Sequence, residues 1–131
     1  MKPKKIWANL TVADLKRTAA FYTALNFKQN TGMPEPADLV SFSFGDDEFV
    51  INFFQKEKFE ANTSLKMSDG KSGIEVLFTI SAESRGEVDE WAEEAKAAGA
   101  DIISEPLGFG NGFYGFTFAD PDGHAYNVFY M

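Results

Sequence analysis

The chain repeats one order of secondary-structure signals, and this duplication limits its fold more than any other feature. An alternating segment, IWANLTV at 6–12, is followed by a helix pattern that starts at Asp14 and then by the alternating segments LVSFSFG and EFVINFF. GIEVLFTI at 73–80 begins the same order again, with a helix pattern after Ser84 and further strand patterns. Period-two alternation is typical of half-buried strands, and a period of 3.6 is typical of helices. The sequence therefore predicts two βαβββ modules.

One such module cannot cover both faces of its own sheet, so the two copies are expected to pack together. We therefore predict an α+β fold in which two βαβββ modules form a curved mixed, mostly antiparallel sheet around a cavity, with the helices on the outer face. The 131 residues are expected to form a single domain. Module one should span about 1–55, a polar connection about 55–72 and module two about 73–131.

The two modules can be aligned on their first and last strands. The first strands match at an offset of 68, from Ile6 to Ile74, and the last strands match at an offset of 75. Alternation directs Ile6 and Ile74 towards the helices, so their neighbours should face the cavity. These offsets give two cavity-facing pairs, Trp7 with Glu75 and Asn52 with Asn127.

The amino-acid composition limits the classes of binding partner. The chain has 12 basic and 20 acidic residues, a net charge of −8. Such a surface repels nucleic-acid phosphates and anionic lipid, so neither nucleic acid nor a membrane is expected as a partner, whereas a cationic ligand would be tolerated. The absence of cysteine excludes disulfides and thiolate chemistry. No apolar run approaches the ~20 residues of a membrane helix, and we expect a cytoplasmic protein.

Two segments, taken together with the duplication, resemble a known superfamily. VADLKRTAAFYTALNF covers the first passage from strand to helix, and FADPDGHAYNVFY covers the end of the chain. Over essentially its whole length the chain resembles the vicinal oxygen chelate superfamily of glyoxalase I, bleomycin- and fosfomycin-resistance proteins and extradiol dioxygenases. It is most similar to short bacterial proteins described as predicted lactoylglutathione lyases, which share N-L-x-V-x-D-L and D-G-H-x-x-x-V-F-Y-M. The resemblance also implies a homodimer.

The resemblance implies where a metal would bind. Enzymes of the superfamily hold a divalent metal through His, Glu or Gln side chains from the first and last strands of each module. The positions that match here are Trp7, Asn52, Glu75 and Asn127. An indole offers only an N–H donor, and a neutral amide oxygen is a weak ligand for nickel, zinc or Fe(II). We therefore expect no metal cofactor, with a divalent metal as the alternative.

The same positions predict a ligand-binding cavity. Mostly apolar walls with a few convergent polar groups are typical of small-molecule sites. The alternative is that the large aromatic side chains simply fill the space. The predicted ligand-binding residues are Trp7, Asn9, Asn52, Phe54, Glu75, Leu77, Asn127 and Phe129, with Thr11 and Thr79 as further polar points.

Two ionisable residues are candidates for catalysis. Glu75 interrupts an apolar strand pattern, and an enclosed carboxylate would be paired with a ligand or shifted in pKa. It could then act as a base next to a carbonyl; the alternative is a strand edge that points into water. The only histidine, His124, follows the DPDG turn at 120–123, and alternation directs it away from Asn127. We predict a structural role for His124.

Three functions remain open from the sequence. The first is a protein without the usual metal quartet that binds a small, partly aromatic or cationic ligand in its concave cavity. The second is a metal-dependent glyoxalase-type lyase or isomerase, acting on a glutathione hemithioacetal or a related carbonyl compound with Glu75 as a ligand or base. The third is a filled, non-catalytic fold.

Overall fold

The secondary-structure elements follow the order that the duplication predicts. The computed structural model describes residues 1–32 and 38–131. The α+β class and both βαβββ modules are confirmed. Module one contains β1 (Ala8–Val12), α1 (Leu15–Ala24), β2 (Lys28–Gln29), β3 (Leu39–Phe44) and β4 (Phe49–Gln55), and α2 (Lys56–Thr63) follows it. Module two contains β5 (Leu77–Ser81), α3 (Arg85–Ala98), β6 (Asp101–Gly108), β7 (Tyr114–Ala119) and β8 (Ala125–Tyr130).

Each module has one four-stranded sheet with the same topology. The order is β1-β4-β3-β2 in sheet 1 and β5-β8-β7-β6 in sheet 2. In both sheets the first and last strands of the module run parallel, and the other neighbours are antiparallel. The chain divides into two compact units, Met1–Met67 and Ser68–Met131. The single domain and the module boundaries stay predictions.

One face of each sheet carries the core and packs against the helix of its module. In module one, Tyr22 of α1 stacks on Phe53 with ring centroids 4.6 Å apart. In module two, Tyr126 of β8 stacks on Phe78 at 5.6 Å and on Phe118 at 5.3 Å. Large aromatic rings dominate the free energy of burial, so the first contact joins helix and sheet, and the second cluster joins the strands of sheet 2. We call the opposite face of each sheet its open face.

The helices of the two modules begin at the predicted caps. The carboxylate of Asp14 accepts hydrogen bonds from the N–H groups of Lys16 and Arg17 at 2.9 and 3.1 Å. The hydroxyl of Ser84 accepts one from the N–H of Glu87 at 3.0 Å. These side chains satisfy N–H groups that have no partner within the helix. The predictions of both helix starts are confirmed.

The first strand of each module begins later than its alternation indicates. β1 begins at Ala8 and β5 at Leu77. Trp7 and Glu75, predicted to lie in these strands, therefore precede them, and both residues are exposed. Alternation shows which residues could pair, but the partner strand decides where pairing begins: β8 starts at Ala125, the partner of Leu77.

The register of the strands changes the alignment of the two modules. In sheet 1 Asn9 pairs with Asn52, and in sheet 2 Thr79 pairs with Asn127. With the two asparagines taken as equivalent, the first strands align at an offset of 70, and α1 and α3 also begin 70 residues apart. The predicted offset of 68 is wrong by two residues, which keeps the face of each side chain but changes its counterpart. The corrected pairs are Trp7 with Leu77 and Asn9 with Thr79.

The predicted connection contains a helix. α2 is polar nearly all round, and none of its residues is buried, so it lacks the apolar stripe by which a helix is recognised in sequence. The ring of Phe59 in α2 stacks on Phe54 of β4 at 4.7 Å. This contact places the helix against sheet 1. None of the helices in residues 1–32 and 38–131 is long and apolar enough to span a membrane.

Candidate functional site

Four polar residues form a row across the open face of sheet 1. Asn9, Asn52 and Ser41 are successive register partners on β1, β4 and β3. Asn30 continues the row directly after β2, because its N–H donates to the carbonyl of Ser41 at 2.8 Å. Since that carbonyl points towards β2, Ser41 and Asn52 form the closely spaced kind of antiparallel pair. We call these four residues the first polar row.

Hydrogen bonds divide the first polar row into two halves. Nδ2 of Asn52 donates to Oδ1 of Asn9 at 3.3 Å. Nδ2 of Asn30 donates to Oγ of Ser41 at 3.0 Å, and Oγ of Ser43 donates to Oδ1 of Asn30 at 3.0 Å. Within residues 1–32 and 38–131, no hydrogen bond joins Asn52 to Ser41. The carbonyl oxygen of Asn52 and the amide nitrogen of Asn9 are therefore available to a ligand.

An open groove lies over three residues of the first polar row, Asn30, Ser41 and Asn52. Its volume is about 830 Å³, which falls within the usual range of small-molecule sites. Ser41, Ser43 and Asn52 line it together with Val50 and Trp7. Trp7 is 54% exposed, so its indole borders the groove rather than filling it. We call this space the first groove.

The rim of the first groove is charged. Three lysines and two acidic residues line it: Lys4, Lys5, Lys28, Asp47 and Glu48. Nζ of Lys28 lies 2.6 Å from Oε1 of Glu48. The hydrogen bond and charge of Lys28 hold the pKa of Glu48 below its ordinary value, and Lys5 adds a smaller effect in the same direction. Lysines outnumber carboxylates at this rim although the whole chain is acidic.

The predicted wall residue Phe54 is covered by another part of the chain. Its ring stacks on Phe59, and α2 contacts both β4 and β1. Thr11, the register partner of Phe54 and a predicted polar point, is only 7% exposed. α2 therefore covers the end of the open face that Thr11 and Phe54 occupy. The first groove lies over Asn52 and its neighbours on β3.

Asn127 holds the corresponding place in sheet 2, but its amide is engaged differently. Oγ1 of Thr117, its register partner in β7, donates to Oδ1 of Asn127 at 2.6 Å. On the other side its partner is Thr79, which is exposed. Across the part of the chain that the structure describes, Thr79 and Asn127 share no hydrogen bond. The row in sheet 2 is thus closed between β7 and β8, where the first polar row is open.

Phe129 is covered by the loop between β6 and β7. The rings of Phe113 and Phe109 lie 5.4 and 5.8 Å from it. On the neighbouring strand β7 its register partner is Gly115. A Cβ atom at Gly115 would lie 3.0 Å from the Phe129 ring and would overlap the carbonyl oxygen of Val128. Only glycine fits beside this ring, as expected where side chain and backbone approach closely.

Glu75 and Leu77 lie at the edge of module two. Glu75 precedes β5 and is exposed, and Leu77, the first residue of β5, is 50% exposed. A carboxylate in water has no reason to bind a ligand more strongly than other surface carboxylates do. The exposure of Glu75 matches the strand-edge alternative, and its catalytic role stays a prediction.

The backbone of His124 forms hydrogen bonds within the DPDG turn. Oδ1 of Asp120 accepts hydrogen bonds from the N–H groups of Asp122 and His124 at 3.0 and 2.9 Å. The N–H of Asp120 donates to the carbonyl of His124 at 2.9 Å. Asp120 is 3% exposed. These bonds fix the turn that sets the start of β8, in agreement with a structural role for His124.

The donor chemistry of the predicted metal positions does not fit a metal. The corrected register makes Leu77 the counterpart of Trp7, so the only carboxylate of the predicted quartet gives way to an apolar side chain. Among residues 1–32 and 38–131, no group of three His, Cys, Asp or Glu side chains is placed to hold a metal ion. The expectation of no metal cofactor stays a prediction.

Three residues of this site were not predicted from the sequence. Ser41 and Ser43 alternate with phenylalanines in LVSFSF, so their pattern could have placed them on the open face with Asn52. Asn30 carries no such signal, because its place depends on β2, a strand of two residues. Such short strands lie below the length at which alternation can be recognised.

Comparisons with known proteins agree with this architecture. The profile of the Glyoxalase/Bleomycin resistance protein/Dioxygenase superfamily matches residues 6–128. A comparison with curated protein sequences gives no match. Three solved structures show how far the fold is shared. A hypothetical protein from S. aureus is 29% identical, with 100% of this chain and 96% of that chain covered and a TM-score of 0.85.

The lactoylglutathione lyase from Agrobacterium tumefaciens is 22% identical, with 99% and 96% covered and a TM-score of 0.69. A fosfomycin resistance protein from Listeria monocytogenes is 20% identical, with 100% and 93% covered and a TM-score of 0.71. The last two likenesses concern the fold alone. Because the family profile spans nearly the whole chain, the protein belongs to the Glyoxalase/Bleomycin resistance protein/Dioxygenase superfamily.

Proposed function

We propose that the chain is a ligand-binding member of this superfamily and that the first groove binds a small, partly aromatic molecule. The observation that carries the proposal is the placement of an exposed indole, Trp7, in the wall of a groove that Asn52 lines with an amide. An aromatic wall beside a few polar groups supplies both stacking area and orientation.

The volume of the first groove and the hydrogen bonding of Asn52 support the proposal. A groove of about 830 Å³ accommodates a small organic molecule. The carbonyl oxygen of Asn52 accepts no hydrogen bond from residues 1–32 and 38–131. A ligand that donates to it would therefore gain a bond without breaking one inside the protein.

Intrinsic fluorescence provides the test. The chain has two tryptophans, so in a Trp91→Phe variant Trp7 is the sole emitter. We expect saturable quenching of Trp7 by at least one of the aromatic probes benzamide, benzoate and benzamidine at millimolar concentration. A Trp7→Ala variant should lose binding of the same probe in ligand-observed NMR, whereas Trp91→Phe, a matched aromatic change in module two, should retain it. Equal binding by both variants would contradict the proposal.

The proposal requires no metal, and this point has its own control. Elemental analysis of desalted protein should find no stoichiometric nickel, zinc, iron or manganese. Near-stoichiometric metal, together with turnover of the hemithioacetal of methylglyoxal and glutathione, would instead favour the glyoxalase-type lyase with Glu75 as a ligand or base. Loss of that turnover in a Glu75→Gln variant would assign the residue.

We also propose a homodimer, on the resemblance to the superfamily alone. Sedimentation velocity over a range of protein concentrations tests it, because a dimer of two 14.5 kDa chains separates clearly from the monomer. A single monomeric species at every concentration would contradict this part of the proposal, and the ligand-binding test would stand unaffected.

A further inference from the structure

We infer that the first groove recognises a neutral amide edge, that is, a carboxamide or lactam group presenting one N–H donor beside one carbonyl acceptor. This inference rests on the proposed function, because it assigns the ligand chemistry of the same groove. The observation behind it is the single hydrogen bond of 3.3 Å between the amides of Asn52 and Asn9.

Two amides joined by one hydrogen bond present a defined pattern to a third group. Each primary amide carries one acceptor oxygen and one donor NH₂ group. The bond from Asn52 to Asn9 uses neither the carbonyl oxygen of Asn52 nor the NH₂ group of Asn9, and the two residues are register partners on adjacent strands. If the amides exchange roles, the acceptor and the donor exchange places. In both cases the pair offers one acceptor beside one donor.

Of a carboxylate, an amidinium and a carboxamide, only the neutral carboxamide satisfies both groups. A carboxylate has acceptors alone, so it would place an oxygen against the carbonyl oxygen of Asn52. An amidinium has donors alone, so it would place an N–H against the NH₂ group of Asn9. A carboxamide donates to the first and accepts from the second, so neither group is left without a partner when the ligand covers it.

The charged side chains at the rim of the first groove also affect which ligand binds. Lysines favour a carboxylate and repel an amidinium. However, Lys28 is already paired with Glu48 at 2.6 Å, and its side chain is 69% exposed. Charges held in water at this exposure contribute little, and salt screens them further. The amide of Asn52, which lines the first groove, and the amide of Asn9 next to it on β1 therefore decide between ligands.

Three probes separate these possibilities. Benzamide, benzoate and benzamidine share one ring and nearly one size, and they differ in the hydrogen-bonding edge. Quenching of Trp7 is titrated in the Trp91→Phe variant at about 0.15 M salt, where charges more than a Debye length apart are screened. We expect benzamide to bind about fivefold more tightly than either of the others, the effect of one net hydrogen bond. Equal or tighter binding of benzoate or benzamidine would overturn the inference.

A substitution of Asn52 should reverse the preference for benzamide. Asn52→Asp replaces the amide by a carboxylate, so benzamide should weaken about fivefold and benzamidine should become the preferred probe. Asn52→Leu should weaken benzamide and abolish the ranking. Asn26→Asp serves as the matched control: Asn26 is an exposed residue at the end of α1, so the same change of charge there should leave the ranking intact.

The outcomes distinguish the inference from the function on which it rests. If none of the three probes quenches Trp7 saturably, the proposed function fails and the inference fails with it. If a probe binds and binding depends on Trp7, but the three edges are not distinguished or Asn52→Asp leaves the ranking unchanged, the inference alone is overturned. Reversal by Asn52→Asp and retention by Asn26→Asp would support both.

Discussion

The two modules place an asparagine at the same point of the same topology and use it in opposite ways. In sheet 1 the amide of Asn52 donates to Asn9 on the edge strand, and no hydrogen bond within the described residues joins it to the strand on its other side. In sheet 2 the amide of Asn127 accepts a short hydrogen bond, 2.6 Å, from Thr117 on that other strand. The duplicated order thus fixes where the asparagine lies but not what it binds.

The open faces differ in what covers them. Each module covers the phenylalanine two residues after its asparagine with a ring from outside the shared pattern. That ring is Phe59 of α2 for Phe54, and Phe113 of the β6–β7 loop for Phe129. In module one, a groove lies over the polar row beside this cover. The difference teaches that short segments that are not repeated decide which part of an open face a ligand can reach.

The cores offer the strongest way to test how far the modules have diverged. Tyr22 of α1 is fully buried and its ring contacts five others, whereas its counterpart 70 residues on, Ala92 of α3, has no ring. We expect Tyr22→Ala to lower the free energy of unfolding by about 4 kcal/mol, because it removes the centre of an aromatic cluster. Urea titration followed by circular dichroism measures it.

Tyr22→Phe is the control for this prediction. It keeps the ring and its packing and should retain most of the stability that Tyr22→Ala loses. If Tyr22→Ala costs less than about 1 kcal/mol, a typical single-mutation effect, the core of module one does not depend on the helix in the way its geometry indicates.

Local rules predicted much of the fold because its local signals agree with one another. The caps at Asp14 and Ser84 were predictable from residues within one helical turn. The residues at which β1 and β5 begin were not, because they depend on the partner strands β4 and β8. α2 was missed because the contact that places it, Phe59 on Phe54, joins two segments whose proximity no period reveals.

Gly115 provides the second test of the comparison. Its counterpart in sheet 1, as the register partner of Phe54, is Leu39, which bears a side chain. A Cβ atom at Gly115 would overlap the carbonyl oxygen of Val128 and press on the ring of Phe129. We expect Gly115→Ala to lower the free energy of unfolding by about 2 kcal/mol, a typical cost of overpacking.

A second glycine of module two supplies the control. A Cβ atom at Gly108 in β6 would meet only an ordinary contact, 3.7 Å from the carbonyl oxygen of Phe113. Gly108→Ala should therefore stay within about 0.5 kcal/mol of the parent protein. Equal effects of the two substitutions in a urea titration would remove the argument that Phe129 requires a glycine beside it.

The N-terminal caps of α1 and α3 provide a third comparison of the two modules, with smaller expected losses of stability. Asp14 accepts two N–H bonds and carries a charge that favours the start of a helix, whereas Ser84 accepts one. In α3, Glu87 also accepts a bond from the N–H of Glu83 at 2.6 Å, which survives the loss of the serine. We expect Asp14→Ala to cost about 1 kcal/mol and Ser84→Ala less. The reverse order in thermal unfolding would contradict this ranking.

The site was less predictable than the fold. Asn9 and Asn52 were both predicted as ligand contacts, but their hydrogen bond depends on the register between β1 and β4, 43 residues apart. The misalignment by two residues preserved every face, since side chains alternate with a period of two. It therefore gave no internal sign of error, yet it paired Trp7 with Glu75 instead of Leu77. The face on which a side chain lies can be predicted from its own strand, whereas its partner on the neighbouring strand cannot.

The smallest expected effect comes from exposed ion pairs, which should respond to pH in opposite directions. In module one the hydrogen bond from Lys28 lowers the pKa of Glu48. A lowered folded-state pKa stabilises above the ordinary glutamate pKa of about 4.3 and is lost as the pH falls through the folded-state pKa. In module two hydrogen bonds to Glu93 and Glu105 raise the pKa of Lys96. That contribution is present below the ordinary lysine pKa of about 10.4 and is lost as the pH rises through the folded-state pKa.

Two neutral variants measure these contributions. The melting temperature of Glu48→Gln should lie slightly below that of the parent protein at neutral pH, and the two should converge as the pH falls below about 4. Lys96→Gln should show its deficit at neutral pH and lose it in strong alkali. Because all these side chains are exposed, about 1 M salt should shrink both differences. A Glu48→Gln deficit that grows in acid would reverse the assigned direction, and Lys28 would then not be what holds that carboxylate charged.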